Sequence, residues 1–256
     1  MDKTLLKGLQ VLEALARSTR PRGVSDLAKE LELARSNMHR TLRTLVESGL
    51  VAQDAETGLY ACTLKLFELG NAIPVRSDVA GLADPIMLAL SEATNETVHL
   101  SALDGGDVIY LHKIDSTHPV RAYTKVGGRA PAYCVATGKA LLAWQPDSYI
   151  DRYEGALNPF TQQTLTDLGS LRDELHEVRR QGFAVNRGEW RDSVCGVAAP
   201  VFGLGGRAVA AIGLSGPESR LTAERLDQFT HRITAAAREL TQKMGCKSTP
   251  ERTGRD

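Results

Sequence analysis

No stretch of this chain stays apolar long enough to cross a bilayer. Its longest uninterrupted runs, such as Val197 to Phe202 and Ala208 to Ile212, fall far short of the roughly 18 residues that a span requires. The charged start, with Asp2, Lys3 and Lys7, has no apolar segment behind it, so no secretory leader is expected and the expected location is cytoplasmic. Cysteine is scarce. Cys62, Cys134, Cys195 and Cys246 lie 72, 61 and 51 residues apart, which excludes a CxxC metal pair and a dense disulfide framework and leaves buried free thiols. There is no excess of either charge: 31 basic side chains balance 31 acidic ones, which excludes a uniformly basic nucleic-acid coat but not a local patch. With 42% hydrophobic residues, disorder is excluded too, and 256 residues suit one or two domains with proper cores.

The apolar periodicity divides the chain near Pro74. Leu5, Leu9, Leu12 and Ala16 recur at helical spacing, predicting a helix over Thr4 to Arg17 that Ser18 to Gly23 stops. Ser25 is the expected N-cap of a second helix carrying Leu27, Ala28 and Leu31, with Val24 as hydrophobic partner before the cap. After a tight Glu32-Leu33-Ala34 connection, a third helix from Arg35 to Ser48 turns Met38, Leu42, Leu45 and Val46 to one side and ends at Gly49. Leu50 to Gln53 and Leu59 to Cys62 flank a turn-rich Asp54 to Gly58, a hairpin pattern. A connecting helix is expected from Leu64 to about Asn71, then a break at Pro74 and a helix from Ser77 to Thr94 that Pro85 should kink or restart.

Strands are expected at Thr97 to Leu103, Val108 to Ile114, Val120 to Val126, Val194 to Phe202 and Ala208 to Ser215. Helices are expected at Thr137 to Trp144, Pro146 to Tyr153, Leu171 to Gln181 and Thr222 to Met244. Hairpin turns at Asp104-Gly105-Gly106-Asp107 and Gly203-Leu204-Gly205-Gly206 imply a mostly antiparallel sheet covered by helices, an α/β (α+β) class. The expected divisions are 1–63, a helical linker 64–76, a second domain 77–246 and a disordered tail 247–256.

The third helix carries the strongest chemical signal. Its face opposite Met38, Leu42 and Leu45 displays Ser36, Arg40 and Arg43, flanked by Arg35, Asn37, His39 and Thr44. Three arginines and no acid between Arg35 and Val46 give a local charge of +3 in a neutral chain. Arginine pairs bidentately with guanine, asparagine with adenine, and hydroxyls with phosphate, all from the first turns of a helix in the major groove. A solvated helix face would look similar in isolation. The short helix and tight turn before it and the hairpin after it make the pattern a winged helix-turn-helix, with phosphate contacts expected from the helix and the wing.

A second candidate site sits where Pro131 to Ala136 leads into the helix near Thr137. The amides of about Ala136 to Lys139 lack intrahelical partners there, and Thr137 adds a hydroxyl, a combination suited to an anion. A plain capped helix is the alternative on residues alone.

The motifs Lys7-Gly8-Leu9-Gln10-Val11-Leu12-Glu13, Asp26-Leu27-Ala28, His39-Arg40-Thr41-Leu42 and Gly49-Leu50-Val51 resemble the DNA-binding domain of IclR-family transcriptional regulators. Glu96-Thr97-Val98-His99-Leu100, Ala136 to Ala143, Ala198-Ala199-Pro200-Val201 and Ser215-Gly216-Pro217 are similar to that family's effector domain. The resemblance, spanning Thr4 to Met244, implies a GAF-like effector domain, a homodimer or dimer of dimers, operator DNA as partner and a small organic-acid effector that controls a nearby catabolic operon. It also implies that the effector lies against Ala136, Thr137 and Gly138, with Asn186, Val194, Gly196, Gly213 and Ser215 at pocket positions. Asn186, Gly196 and Gly213 are smaller or less charged than in relatives that take small oxo-acids. With Tyr123, Tyr133 and Trp190 as aromatic wall, this implies extra volume and a larger acid, aromatic or sugar-derived.

Other signals are weak. Gly203 to Ala208 fits a dinucleotide string but opens no helix, six histidines form no HxxxH pair, and no nucleophile with a base and orienter is visible. No cofactor and no enzymatic turnover are expected. His99 reads equally as a core residue or a pocket donor.

Overall fold

The computed structural model describes residues 3–72 and 74–246, so the tail from residue 247 lies outside the described residues. The chain forms two compact units, one up to Pro74 and one from Val75.

In the first unit, helices α1 (Lys3–Arg17), α2 (Val24–Glu30) and α3 (Arg35–Glu47) precede a hairpin of β1 (Val51–Gln53) and β2 (Tyr60–Cys62), and α4 (Lys65–Asn71) follows. Val11, Leu15, Leu27, Met38, Leu42, Val51 and Tyr60 close the core, so all three helices and both strands contribute. Ser25 is not a cap. Gly23 occupies that position, Ser25 lies inside α2, and its hydroxyl accepts instead from the Arg35 guanidinium. The connection to α3 is tight enough to hold Glu32 at φ +52. At the other end of α3, Leu50 N–H donates to Leu45 O and Gly49 N–H to Val46 O, with Gly49 at φ +75, the left-handed stop that glycine takes without strain.

In the second unit, α5 (Pro74–Thr94) leads into β3 (Thr97–Asp104) and β4 (Asp107–Ile114), then β5 (Arg129–Pro131), α6 (Ala136–Leu142), α7 (Asp147–Ile150) and α8 (Leu168–Gln181). The edge strand β6 (Ala184–Arg187), the long hairpin β7 (Val194–Phe202) and β8 (Ala208–Pro217), and α9 (Ala223–Lys243) complete it. The sheet order is β5-β4-β3-β8-β7-β6, antiparallel throughout. Residues of α5 and α9 pack with Val98, Leu100, Val197 and Ile212 on one face. Residues of α6 and α8 pack with Val108, Tyr110, Ala198 and Ala211 on the other. Both faces are therefore covered, which is why β7 reads as a near-continuous apolar run, whereas β3 alternates, with Val98 and Leu100 on one face and Thr97, His99 and Ser101 on the other.

Four sequence expectations fail here. Val120 to Val126 is not a strand. Burial alternates only over residues 121–125, with Ala122 and Thr124 buried and Tyr123 exposed; Val120 and Val126, which a strand would bury with them, are exposed, and β4 takes its outer partner from β5, after the Gly127-Gly128 turn. The segment is held instead by side chains: Arg220 donates to Val120 O and Lys113 to Thr124 O. Of the kink or restart expected at Pro85, the restart does not occur: α5 runs through it as one helix, with Pro85 on the exposed side, where water can satisfy the carbonyl its ring releases. The helix expected over Pro146 to Tyr153 is one turn of α-helix followed by a 3-10 turn at Asp151–Tyr153. β6 was not foreseen, being four residues long and paired on one edge only.

Candidate functional site

Helix α3 presents its polar side to solvent. Arg35, Ser36, Asn37, His39, Arg40, Arg43 and Thr44 are all exposed, while Met38 and Leu42 are sealed in the core behind them. Arg40 Nη2 donates to Asn37 Oδ1 at 3.3 Å, and Thr44 Oγ1 donates to Arg40 O at 3.1 Å. Arg43 is paired with Glu47 at 3.0 Å, yet its side chain stays 82% exposed, so water competes with that carboxylate and a phosphate can replace it. The hairpin departs from expectation: its turn, Asp54 to Gly58, holds two acids and no base, and Asp54 Oδ1 is occupied by Thr57 N–H, Thr57 Oγ1 and Glu56 N–H. Those bonds hold the Asp54 carboxyl below its ordinary value, so the wing tip is anionic and supplies no cationic phosphate contact.

The second unit contains a cavity of about 50 Å³ between β3, β8, the start of α6 and the segments 122–124 and 186–194. Of the expected residues, Tyr123, Ala136, Thr137, Asn186, Val194, Gly196 and Ser215 line it, as does Trp190. Tyr133, Gly138 and Gly213 do not line it. Tyr133 packs on Tyr153 and Phe160 and donates to Asn158 O. Gly138 is pressed against the chain before α6: a Cβ there would come within 2.0 Å of Ala132 O. The amide of Lys139 is also not free, since it donates to Val135 O at 3.0 Å.

The glycines do not enlarge the cavity as expected. A Cβ on Gly196 would meet Leu214 O at 2.6 Å, and one on Gly213 would meet Ala198 Cβ at 2.7 Å and Thr137 Cγ2 at 3.0 Å. Neighbouring strands and α6 already fill that space.

Tyr110, Thr124 and Arg191 line the cavity without being expected to, and His99, which the sequence left open between core residue and pocket donor, lines it as well. His99 Nε2 lies 2.5 Å from Ser215 Oγ and Nδ1 lies 3.2 Å from Thr124 Oγ1, so the imidazole is fixed at both nitrogens. Burial pushes its pKa down to about 4, which keeps it neutral near pH 7. The only hint in the sequence was strand alternation: Val98 and Leu100 serve the α5/α9 face, so His99 turns to the other. Arg191 lays its guanidinium 4.7 Å from the Trp190 ring centroid. It is the one cation among the described lining residues, which include no carboxylate. Behind the cavity, Lys139 of α6 is 1% exposed and paired with Glu174 at 2.7 Å and Glu189 at 2.9 Å. Cys134 is buried and its thiol is pushed up to about 12, so it stays protonated and unreactive.

An exposed basic helix in a three-helix unit with a hairpin, joined in one chain to a helix-covered antiparallel sheet enclosing a small cavity, defines a ligand-responsive transcriptional regulator. The family description "IclR helix-turn-helix domain" matches residues 4–55, and "Bacterial transcriptional regulator IclR C-terminal" matches residues 72–242. The chain belongs to the IclR family. It is 36% identical over 249 residues to the HTH-type transcriptional regulator KdgR of Escherichia coli (strain K12), covering 96% of this chain and 94% of that one. The crystal structure of the Thermotoga maritima IclR is similar with a TM-score of 0.77 and 27% identity, covering 96% and 100% of the two chains. An IclR homolog of Microbacterium hydrocarbonoxydans complexed with 4-hydroxybenzoate shares the fold, with a TM-score of 0.83 at 22% identity, over 96% and 100%. The protein is a DNA-binding transcriptional regulator with an effector-binding C-terminal domain. No helix among the described residues is long and apolar enough to cross a membrane.

Proposed function

We propose that this regulator reads its operator through Arg35, Ser36, Asn37, His39, Arg40, Arg43 and Thr44 of α3, and that a small organic acid in the cavity of the second unit sets its operator affinity. A cytoplasmic homodimer or dimer of dimers acting on a catabolic operon completes the reading. One observation carries the effector class: the cavity wall combines a guanidinium with the hydroxyls of Thr124, Thr137 and Ser215, and no carboxylate opposes an anion there. A volume of about 50 Å³ is small for a ligand cavity, which favours a compact acid. Ring-bearing acids of the kind bound by the Microbacterium homolog need the exposed Tyr123 and its segment to yield.

Apolar side chains on α1 (Leu6, Leu9) and α4 (Phe67, Leu69) are exposed, a surface that a second copy of the chain would cover. The effector acts only by as much as it prefers one arrangement of the DNA-binding units over another.

Ser215 beside His99 favours a second reading, hydrolytic turnover. The third group is the Thr124 hydroxyl rather than a carboxylate, and an imidazole with a pKa of about 4 is a weak base, so the binding role is preferred. Calorimetry with pyruvate, glycerate, gluconate and 4-hydroxybenzoate, beside an operator gel shift with each, tests the proposal. One acid should bind and move the shift, and Ser215→Ala should weaken both effects. If no acid binds, or if the acid is consumed, the proposal fails.

A further inference from the structure

We infer that Arg191 is the residue that reads the effector's carboxylate, and that the opposite end of the cavity, built from Ser215, His99 and Thr124, reads a neutral oxygen, so that the effector is a hydroxy or oxo acid bound acid-end outward. This rests on the organic-acid reading above and extends it to the orientation of the ligand.

The two ends differ in charge and in wiring. At the inner end, Thr124 Oγ1, His99 and Ser215 Oγ form one hydrogen-bonded row, all three residues lining the cavity. A neutral imidazole has one donor and one acceptor, so this row contains no formal charge, and it lacks the donor strength to draw a carboxylate out of water by itself. A hydroxyl or carbonyl oxygen matches it, since a serine hydroxyl with one side engaged by His99 can still donate or accept once. The permanent cation of the lining lies further out, Arg191 being exposed where His99 and Thr124 are buried. Arg191 lies over the Trp190 ring at 4.7 Å, and it is near enough to Tyr110, a third lining residue, to offset part of the rise to about 12 that burial imposes on that phenol. No carboxylate among the described residues lies within ion-pair distance of Arg191, whereas Lys113, the nearest cation to His99, is bound to Asp115 at 3.0 Å and to Thr124 O at 2.8 Å. Lys139 is consumed by Glu174 and Glu189. Arg191 is thus the guanidinium available to a bound anion. Its planar fork matches a carboxylate bidentately, a geometry that lysine does not reproduce.

The test uses the full chain and the acids named above, with the amide of whichever acid binds. In calorimetry, Arg191→Gln should weaken that acid roughly 10- to 100-fold, the effect of losing a charge-assisted hydrogen bond, and leave the amide unchanged. Arg191→Lys should recover only part of the loss. Ser215→Ala should weaken acid and amide by the same factor, whereas the loss in Arg191→Gln should fall on the acid alone, a selectivity that a merely structural role for Arg191 would not give. An acid bound equally by wild type and Arg191→Gln overturns the inference while leaving the organic-acid reading intact. Failure of every acid to bind the wild type overturns that reading, and this inference with it.

Discussion

Charge is used in opposite ways in the two units. On α3 the arginines stand in solvent, held by a neighbouring Asn37, by Ser25 of α2 or by an exposed Glu47. In the second unit Lys139 is sealed from water between Glu174 and Glu189, and Glu189 itself is buried with one oxygen lacking a hydrogen-bond partner. A solvated guanidinium loses little by exchanging one weak partner for a phosphate, so it is available for binding. A buried ammonium cannot leave its carboxylates without a large desolvation cost, so it fixes α6 against α8 and the 186–191 segment rather than binding anything. The same residue class therefore serves contact in one unit and construction in the other, and burial decides which.

Removing Lys139 tests that contrast most severely. Lys139→Met should destabilise the second unit by about 3–5 kcal/mol in denaturant titration, because Glu189 is left as an uncompensated buried charge. The double variant Lys139→Met, Glu189→Gln should lose less than the single one. A loss as small as that of an exposed pair would break the comparison.

Acid should act next most strongly, through His99. Its folded value of about 4 lies below its unfolded value of 6.5, so between these the unfolded chain binds a proton that the folded chain refuses. The stabilisation is intact above about pH 6.5 and is lost as pH falls through about 4, amounting to about 3 kcal/mol at most. Thermal unfolding followed from pH 7 to pH 4 checks this, and His99→Gln should flatten that part of the profile.

The exposed arginines should show the reverse balance. Arg40→Ala with Arg43→Ala should change stability by about 0.5 kcal/mol or less. Operator affinity should fall, and the slope of its logarithm against the logarithm of salt concentration should drop by about two. Wild-type and variant salt slopes that coincide would sink the assignment of α3 to the phosphates.

The DNA-facing side was legible because it depends on one helix. A 3.6-residue period places Met38 and Leu42 inside, and the rest of the arc follows without any knowledge of the remaining chain. The wing is legible in shape and in charge alike, since Asp54 and Glu56 at its turn leave it no cation for a phosphate. The cavity was legible only in part. Thr137 was readable from the helix start and Asn186 and Ser215 from the family resemblance, His99 stayed open between core and pocket, and Arg191 and Thr124 enter from the segment after β6 and an irregular segment that local pattern does not specify.

The sequence alone determined the two-part plan, the order of nearly all elements, the absence of long apolar spans and the arginine face, since periodicity and capping act over a few residues. Only the tertiary structure decided that Gly196 and Gly213 make room for backbone and side-chain neighbours rather than for ligand, that Tyr133 belongs to the core, and that Arg191 is the cation left without a carboxylate. Those outcomes depend on which distant segments share a cavity wall, and that is fixed by strand order and packing, which no local spacing encodes.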